Sequence, residues 1–280
     1  MHSAILMHSK KLITAKSYDE ELHGKCLECM DKSCGAPVIY IPERQGVAAH
    51  FKTSGKGESI HKATCGFGKD LDFAAALSKV NEYQEDYGKQ GIREILVRLN
   101  LNTIDPDYEP RVINRESNEE KEVAELDEKV LKSTAPTPKS IGSLKTVKKL
   151  FTTVEPDLLA SIIISVKGSK VPVSELIRSS KDAHKALWEN MTLDLPYFIH
   201  GTIEKVIRRE KVWFIKLDAI EDTYFSLVVF EKYFHHFTYK DAELVGRNIL
   251  AYGYLKKNEF NKEKPATEMI IKSNKYIEFL

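Results

Sequence analysis

Residues 26–65 read CLECMDKSCGAPVIYIPERQGVAAHFKTSGKGESIHKATC, and this stretch holds every cysteine of the chain. Three cysteines cluster at its start, and a histidine and a cysteine follow at its end. Two cysteines from a first loop with a His and a Cys from a second would complete the closed tetrahedral shell of a structural zinc ion. The stretch therefore predicts a bound Zn²⁺ with five candidate ligands, which are Cys26, Cys29, Cys34, His61 and Cys65.

The spacing leaves open which four of these five residues hold the ion. Cys29, Cys34 and Cys65 are the firmest choices, and His61 is the fourth because of its spacing to Cys65. Cys26 is the alternative ligand if the first loop uses the shorter cysteine spacing. Four cysteines crowded into one part of a long chain favour a metal over a disulfide framework, which is typical of short secreted domains.

The residues between the two halves of this site have the pattern of short strands. Residues 37–42 (PVIYIP) and 47–51 (VAAHF) are rich in β-formers, and residues 43–46 suit the turn between them. Upstream, residues 10–25 predict a short strand and a helical turn that ends at Gly24. Together these features predict a zinc ribbon.

After Cys65 the apolar residues follow a helical period. Residues 72–87 predict a helix with one apolar face, and the apolar residues of 92–99 predict a second helix. A zinc ribbon has little core of its own, so we expect both helices to pack on it.

The middle of the chain changes composition twice. Residues 116–128 are strongly acidic, and residues 134–143 (TAPTPKSIGS) have the composition of a linker. Beyond them, residues 143–151 (SLKTVKKLF) predict a basic helix, and a strand hairpin then leads into a helix with Ser174 as its cap. A further helix is predicted at residues 182–189.

From Tyr197 onward the sequence alternates like strand after strand. Five strand-like runs, with a helical insert at 231–244 between the third and the fourth, lie at 197–207, 212–220, 224–230, 248–257 and 268–279. This order resembles the nucleic-acid-binding OB-fold family, whose fold is a five-stranded Greek-key barrel. Gly201 lies in the first strand, where such a barrel bends sharply.

Single-strand binding by such a barrel uses aromatic platforms for the bases and cations for the backbone. Alternation puts Trp213, Ile215 and Leu217 in the core and Phe214 and Lys216 on the opposite face. The predicted nucleic-acid-binding residues are Arg208, Arg209, Lys211, Phe214, Lys216, Tyr224, Tyr252, Tyr254, Lys256 and Lys257, with Lys262 and Lys264 in the last loop. The alternative is that these aromatics are core residues and the lysines only solvated loop tips.

The first stretch also resembles the amino-terminal zinc-binding region of competence-protein CoiA-like families. The residues that carry this resemblance are Cys29, Cys34, Ala36 to Val38, His50, Phe51, His61 and Cys65. It implies a zinc-binding role for these cysteines, and it makes a metal-dependent nuclease an alternative function, with Glu58 and Asp70 as candidate carboxylates. We expect His50 to be structural.

The composition is that of an ordinary globular protein, with 42% hydrophobic residues, 30% charged residues and a net charge of +1. Such a charge argues against strong salt-driven binding to duplex DNA. The chain has no long apolar run and no signal-peptide pattern, so we expect a cytoplasmic location and no membrane partner. Walker, Gly-x-Ser-x-Gly and zincin motifs are missing from the sequence.

We therefore predict an α+β multidomain protein with four regions. These are a zinc ribbon plus helices at 1–110, a charged and Pro-containing linker at 111–143, a small mixed α/β module at 144–195 and an OB-fold barrel at 196–280. The predicted function is non-enzymatic binding of single-stranded DNA or RNA by the barrel. The alternatives are an adaptor that binds a protein partner or another copy of the chain, and the nuclease.

Overall fold

The computed structural model describes residues 1–44, 46–68, 71–90, 95–109, 140–219, 223–261 and 264–280. The predictions for the acidic stretch 116–128, for most of the linker 134–143, and for Ile92, Asp70 and Lys262 fall outside these residues. The described part is a mixed α/β structure with three sheets.

The strands are β1 (Ser3–Leu6), β2 (Leu12–Thr14), β3 (Leu27–Cys29), β4 (Pro37–Ile41), β5 (His50–Lys52), β6 (Ile95–Leu99), β7 (Ser140–Ile141), β8 (Ile162–Val166), β9 (Ser169–Pro172), β10 (Ile177–Ser179), β11 (Tyr197–Arg208), β12 (Val212–Leu217), β13 (Tyr224–Phe230), β14 (Asn248–Gly253), β15 (Leu255–Asn258), β16 (Ala266–Ile270) and β17 (Ile277–Phe279). The α-helices are α1 (Glu20–His23), α2 (Phe73–Gln90), α3 (Leu144–Thr153), α4 (Pro156–Ala160), α5 (Val173–Leu176), α6 (Ser180–Trp188) and α7 (Asp241–Leu244). Short 3₁₀ helices lie at Asn102–Ile104, Glu231–His236 and Asn274–Tyr276.

The first sheet is antiparallel and has the order β2-β1-β3-β4-β5. Its β4–β5 hairpin is the one predicted between the two halves of the cysteine stretch, although β5 begins at His50 rather than at Val47. Val47 instead forms an isolated bridge with Arg44 across the turn. The hairpin brings the end of the stretch back beside its beginning.

The second sheet has the order β7-β6-β8-β9, and β6 pairs in parallel with both β7 and β8. The helix predicted over 92–99 is wrong, because Ile95–Leu99 form the strand β6. Val97 is buried and Leu96 is 48% exposed, which is the two-residue alternation of a strand. A short apolar run cannot be assigned by period alone when its partners lie far away in the chain.

This sheet draws on both sides of the predicted linker. The strand β6 lies before residues 111–143, β7 lies at their end, and β8 follows them. The boundary between regions 1–110 and 144–195 stays a prediction, but the described residues on its two sides share one sheet and one core.

The small helices differ from the prediction in one detail. Ser143 caps α3 by accepting a hydrogen bond from the N–H of Thr146. Ser174, the predicted cap of the next helix, lies inside α5 and donates its hydroxyl to the side-chain oxygen of Gln84. Pro172 is the residue at the cap position, so Ser174 serves to join α5 to α2 instead.

The third sheet has the order β15-β16-β13-β12-β11-β14-β17, with β10 beside β11. The β13–β16 pair is parallel, and the other pairs along this order are antiparallel. As hydrogen-bonded in the described residues, none of the three sheets closes into a barrel, so the OB-fold barrel stays a prediction. Only Tyr254 separates β14 from β15.

A buried carboxylate joins the first sheet to the helices of the middle region. Asp157, in α4, is fully buried and accepts hydrogen bonds from the backbone N–H groups of His2 and Ser3 at 2.5 and 3.0 Å. The Ser3 hydroxyl also lies 2.6 Å from the hydroxyl of Tyr87 in α2. These contacts fix strand β1 on α2 and α4.

Among the residues described, no helix is both long enough and apolar enough to cross a lipid bilayer.

The shared middle sheet can be tested by two substitutions on paired strands. Ile164→Ala removes a fully buried side chain opposite Val97, and we expect it to lower the free energy of unfolding by about 2–5 kcal/mol. Leu96→Ala, at a half-exposed position of the neighbouring strand, should change it by about 0.5 kcal/mol or less. Urea denaturation of the whole chain measures both, and equal losses would contradict this arrangement.

Candidate metal centre

Four side chains from two loops converge at one end of the first sheet. Cys29 ends β3, Cys34 lies in the loop before β4, and His61 and Cys65 lie between β5 and α2. Their ligand atoms all lie within 4.8 Å of one another. The Sγ atoms of Cys29 and Cys65 are 3.7 Å apart, and the Nδ1 atom of His61 is 3.5 Å from Sγ of Cys34 and 3.4 Å from Sγ of Cys65. These four residues are close enough to hold a metal ion.

Backbone hydrogen bonds shape the two loops that carry these ligands. In the first loop, the N–H of Cys29 donates to the carbonyl of Ala36 and the N–H of Cys34 to that of Asp31. In the second loop, the N–H of Cys65 donates to the carbonyl of Lys62. Cys34 and Cys65 are therefore held by tight turns, whereas Cys29 is held at the end of β3.

The fifth candidate ligand, Cys26, lies outside the group. Cys26 is exposed, whereas Cys29, Cys34 and Cys65 are buried. The carbonyl of Cys26 accepts a hydrogen bond from the N–H of Met7, which places Cys26 at the edge of the β1–β3 pair. His50 also lies outside the group, and its Nδ1 atom is 2.9 Å from the carbonyl oxygen of Ala48. The open choice among five ligands is thus reduced to Cys29, Cys34, His61 and Cys65.

The buried sulfurs influence one another's protonation. The hydrogen bond between Cys29 and Cys65, together with burial, raises the pKa of the Cys29 thiol far above its usual range. The same hydrogen bond lowers the pKa of Cys65 to about 6, and the backbone N–H of Phe67, 3.4 Å from that sulfur, acts in the same direction. A thiolate is the form of cysteine that binds metals. The contact between these sulfurs thus lets one of the pair lose its proton more readily, and both would be thiolates around a bound metal ion.

A buried carboxylate that touches none of the ligands connects the two loops. Asp31 is fully buried between Cys29 and Cys34, and its Oδ1 accepts hydrogen bonds from the N–H and the hydroxyl of Ser33. Its Oδ2 accepts hydrogen bonds from the N–H of Gly66 at 2.9 Å and from the hydroxyl of Tyr83 at 2.6 Å, and it pairs with Lys79 Nζ at 2.9 Å.

These contacts join both metal loops to α2. Burial alone would raise the pKa of the Asp31 carboxyl, but the hydrogen bonds it accepts outweigh burial and hold that pKa well below its usual range. The group is therefore a charged carboxylate inside the protein. No sequence motif predicts this role, because only Ser33 is a near donor and the others, Gly66, Lys79 and Tyr83, lie 35 to 52 positions away.

Two glycines beside Cys65 allow this close packing. A Cβ atom on Gly66 would lie 2.5 Å from the Tyr83 hydroxyl, and one on Gly68 would lie 2.7 Å from the carbonyl oxygen of Lys62. Neither distance is tolerated by a real Cβ contact. The two glycines after Cys65 thus let the second loop approach α2 and turn back on itself.

A second group of predicted residues lies on one face of the third sheet. Directly opposed residues on neighbouring strands project to the same face. Lys216 on β12 is opposite Ser226 on β13. Ser226 is in turn opposite Glu268 on β16, and Glu268 is opposite Lys256 on β15. Phe214 and Tyr224 follow the same alternation, as does Tyr254 two residues before Lys256. We call Phe214, Lys216, Tyr224, Tyr254 and Lys256 the sheet face.

Other predicted binding residues have structural partners. Arg208 donates to Asp241 and to the carbonyl of Tyr239 at 2.7 Å each, and its guanidinium lies 4.0 Å from the centre of the Trp213 ring system. Lys257 donates to Asn190 and lies over the Trp188 ring.

The remaining predicted residues surround the sheet face. Tyr252 packs on Phe198, with ring centres 4.9 Å apart. Arg209 and Lys211 are exposed in the turn between β11 and β12, and Lys264 lies 5.9 Å from the Tyr224 ring.

The predicted core assignment is confirmed for Ile215 and Leu217 and needs correction for Trp213. Trp213 is only half-buried, because its ring stacks on Phe234 rather than entering the sheet core.

Of the two carboxylates proposed for a nuclease, Glu58 is exposed and Asp70 lies outside the described residues. Within the described ranges, the Cys–His group is the one set of three or more His, Cys, Asp or Glu side chains close enough to hold an ion.

Comparisons with protein-family models and with curated proteins find no match for this chain. The CoiA-like resemblance of the cysteine stretch and the OB-fold resemblance of the third sheet therefore stay predictions.

The Asp31 contacts yield a direct test. Asp31→Asn keeps the shape of the side chain but replaces one acceptor by a donor that faces N–H and O–H groups. We expect it to lower the free energy of unfolding by about 3–5 kcal/mol, because Lys79 loses its buried partner. Asp86→Asn, which breaks the exposed Lys32–Asp86 pair, is the control and should cost about 0–1 kcal/mol. Chemical denaturation measures both, and a neutral Asp31→Asn variant would contradict the proposed role of the carboxylate.

Proposed function

We propose that this protein binds single-stranded DNA or RNA through its third sheet, and that a structural Zn²⁺ ion stabilises its first sheet. The observation that carries the binding proposal is the register that aligns Phe214, Lys216, Tyr224 and Lys256 on one face, with the exposed Tyr254 two residues before Lys256. Such a face combines the aromatic platforms and the cations that single-strand binding needs. The proposed role is binding without catalysis, in a reducing compartment such as the cytoplasm.

Zinc is the metal that best fits the donor set. A Cys₃His group is a common structural zinc site, with Zn–S bonds of about 2.3 Å and Zn–N bonds of about 2.0–2.1 Å. In a tetrahedron these bonds separate two sulfurs by about 3.8 Å, and a sulfur and a nitrogen by about 3.5 Å. The distances of 3.7, 3.5 and 3.4 Å among these ligand atoms support that assignment.

We further propose that the third sheet is a barrel of the OB-fold type. Its strand order ends at β15, but β15 continues β14 through Tyr254 alone, and β14 pairs with β11. The two-residue alternation runs unbroken through Tyr254, since Gly253 is buried, Tyr254 is exposed and Leu255 is half-buried. β14 and β15 would then be one long bent strand. Since β14 pairs with β11 and β15 pairs with β16, this strand would close the path β11-β12-β13-β16-β15 into a barrel. The parallel β13–β16 pair supports the same topology.

Binding at the sheet face would depend on stacking and local charge rather than on net charge. Base–aromatic stacking contributes about 1–3 kcal/mol per base, which is independent of the small total charge of the chain. Arg209 and Lys211, in the turn at the end of β11, extend the positive charge beside Phe214. The proposed ligand is therefore a single strand, whose bases are free to stack, rather than a duplex.

A protein-interaction role is the second candidate, and exposed apolar side chains of the first sheet favour it. Ile39, Val47 and Ile60 are each about half exposed around the β4–β5 hairpin. Such side chains suit a protein contact better than a nucleic-acid backbone. The two roles are compatible if the first sheet contacts a protein while the third sheet holds the strand.

The zinc proposal predicts metal content by variant. The wild-type protein should purify with about one zinc per chain, because four protein ligands close the shell. Cys34→Ser and Cys65→Ser should lose the metal, whereas Cys26→Ser, outside the group, should keep it. Elemental analysis measures the content, and the ligand-to-metal charge-transfer bands of a cobalt-substituted sample report the sulfur ligands. A zinc-free wild-type protein, or loss of metal from Cys26→Ser, would refute this assignment.

The binding proposal predicts that Lys216 and Lys256 contribute to the affinity for a single strand. The double variant Lys216→Glu/Lys256→Glu should weaken binding of a labelled thymidine 20-mer by at least about tenfold in low salt, because two backbone contacts become repulsive. Lys89→Glu/Lys145→Glu carries the same change in net charge on exposed positions of α2 and α3, and it should weaken binding far less. Fluorescence anisotropy at several salt concentrations measures both.

Other results of this titration would point to the rival functions. If the wild-type chain has no affinity for single strands even in low salt, the binding proposal fails and the protein-interaction role gains support. Cleavage of the labelled strand that requires a divalent cation and persists through purification would instead support a nuclease.

A further inference from the structure

We propose that the cavity beside Tyr254 is a binding site for a single guanine base, at the end of the sheet face. This inference rests on the proposed binding of single strands and names the base that the site prefers. The cavity has a volume of about 240 Å³ and lies between the loop 192–195, Tyr197, Tyr254 and Leu255. Ligand sites usually measure about 300–1,000 Å³, so this one suits a small planar group.

Polar and apolar groups together line the cavity, and the surface that faces it is mostly polar. Among the lining side chains, those of Leu195 and Tyr197 are buried and that of Leu255 is half-buried. The hydroxyl of Tyr197 accepts a hydrogen bond from the N–H of Leu193 at 2.8 Å, which fixes the loop 192–195 beside these side chains. Tyr254 is 37% exposed and borders both the cavity and the sheet face, so a strand on that face reaches the cavity.

The polar groups of the cavity select the base. Asp194 is the one carboxylate among the residues that line it, and Thr192 supplies a hydroxyl. An ionised carboxylate only accepts hydrogen bonds, and its two oxygens can accept two parallel ones. Guanine presents two adjacent donors, N1–H and the N2 amino group, on its Watson–Crick edge. Thymine presents one N–H between two carbonyl oxygens, which would face the carboxylate unfavourably.

Cations near the cavity suit the phosphates that accompany a bound base. The Nζ atom of Lys167 lies 4.6 Å from the centre of the Tyr254 ring, and the guanidinium of Arg178 lies 5.5 Å from the centre of the Tyr197 ring. A base held in the cavity would thus have its backbone near two cations.

The test compares three thymidine 12-mers that differ at one central position, which is thymine, guanine or inosine. Inosine keeps N1–H but lacks the N2 amino group, so it removes one of the two proposed hydrogen bonds. We expect the wild-type chain to bind the guanine strand about tenfold tighter than the all-thymine strand, with inosine between them. Asp194→Asn should bind all three strands with the affinity of the all-thymine strand. Asp218→Asn, an exposed carboxylate that does not line the cavity, should keep the preference.

A second measurement separates the cavity from the sheet face. Calorimetric titration with deoxyguanosine monophosphate and thymidine monophosphate probes the cavity without a strand, and only the guanine nucleotide should bind. Binding of every 12-mer with no guanine preference, or a preference that survives in Asp194→Asn, would overturn the inference and leave the proposed function intact. Guanine-nucleotide binding lost in Asp194→Asn, without affinity for any 12-mer, would support the cavity and refute the sheet face. Binding of neither kind of ligand would refute both.

Discussion

The structure depends on one buried charge, the carboxylate of Asp31. A carboxylate without partners would be strongly disfavoured at such a position, since burying an isolated ion costs far more than one hydrogen bond returns. Here Ser33, Gly66, Tyr83 and Lys79 supply its donors from both metal loops and from α2. The two metal loops bring their ligands together only while these four donors contact the Asp31 carboxylate. The geometry of the metal site is therefore coupled to the packing of α2.

A second buried acidic side chain connects the first sheet to the middle of the chain, although burial raises the pKa of its carboxyl whereas hydrogen bonds lower that of Asp31. Asp157 is the second buried carboxylate, and it accepts backbone N–H groups of the first strand, which attaches the first sheet to α4 and α2. The second sheet then joins β6 to β8 across the predicted linker. These contacts attach the first sheet to helices that come later in the chain. Its own apolar core is formed within the first 67 residues, with Leu27 and Phe51 among its buried side chains.

In β12 of the third sheet, core side chains alternate with accessible ones, whereas β13 is buried on both faces from Phe225 to Val229. Ile215 and Leu227 lie opposite each other and are fully buried, while Phe214 and Lys216 on the other face stay partly exposed. An aromatic residue that remains accessible beside lysines differs from one that completes a core, such as Phe198 against Tyr252. The proposed sheet face and the neighbouring cavity share Tyr254, so one strand position determines the geometry of both.

Local sequence determined the features that depend on near neighbours. The cysteine spacing predicted the metal group, the β4–β5 hairpin followed from its β-formers, and the alternation in β12 predicted buried Ile215 beside accessible Phe214. Tertiary structure decided the rest: which cysteine lies outside the metal group, that 95–99 is a strand, and that Asp31 is a charged anchor. These outcomes depend on partners such as Ile164 and Tyr83, more than 50 positions away. Burial and hydrogen bonding at such distances are fixed only when the whole chain packs.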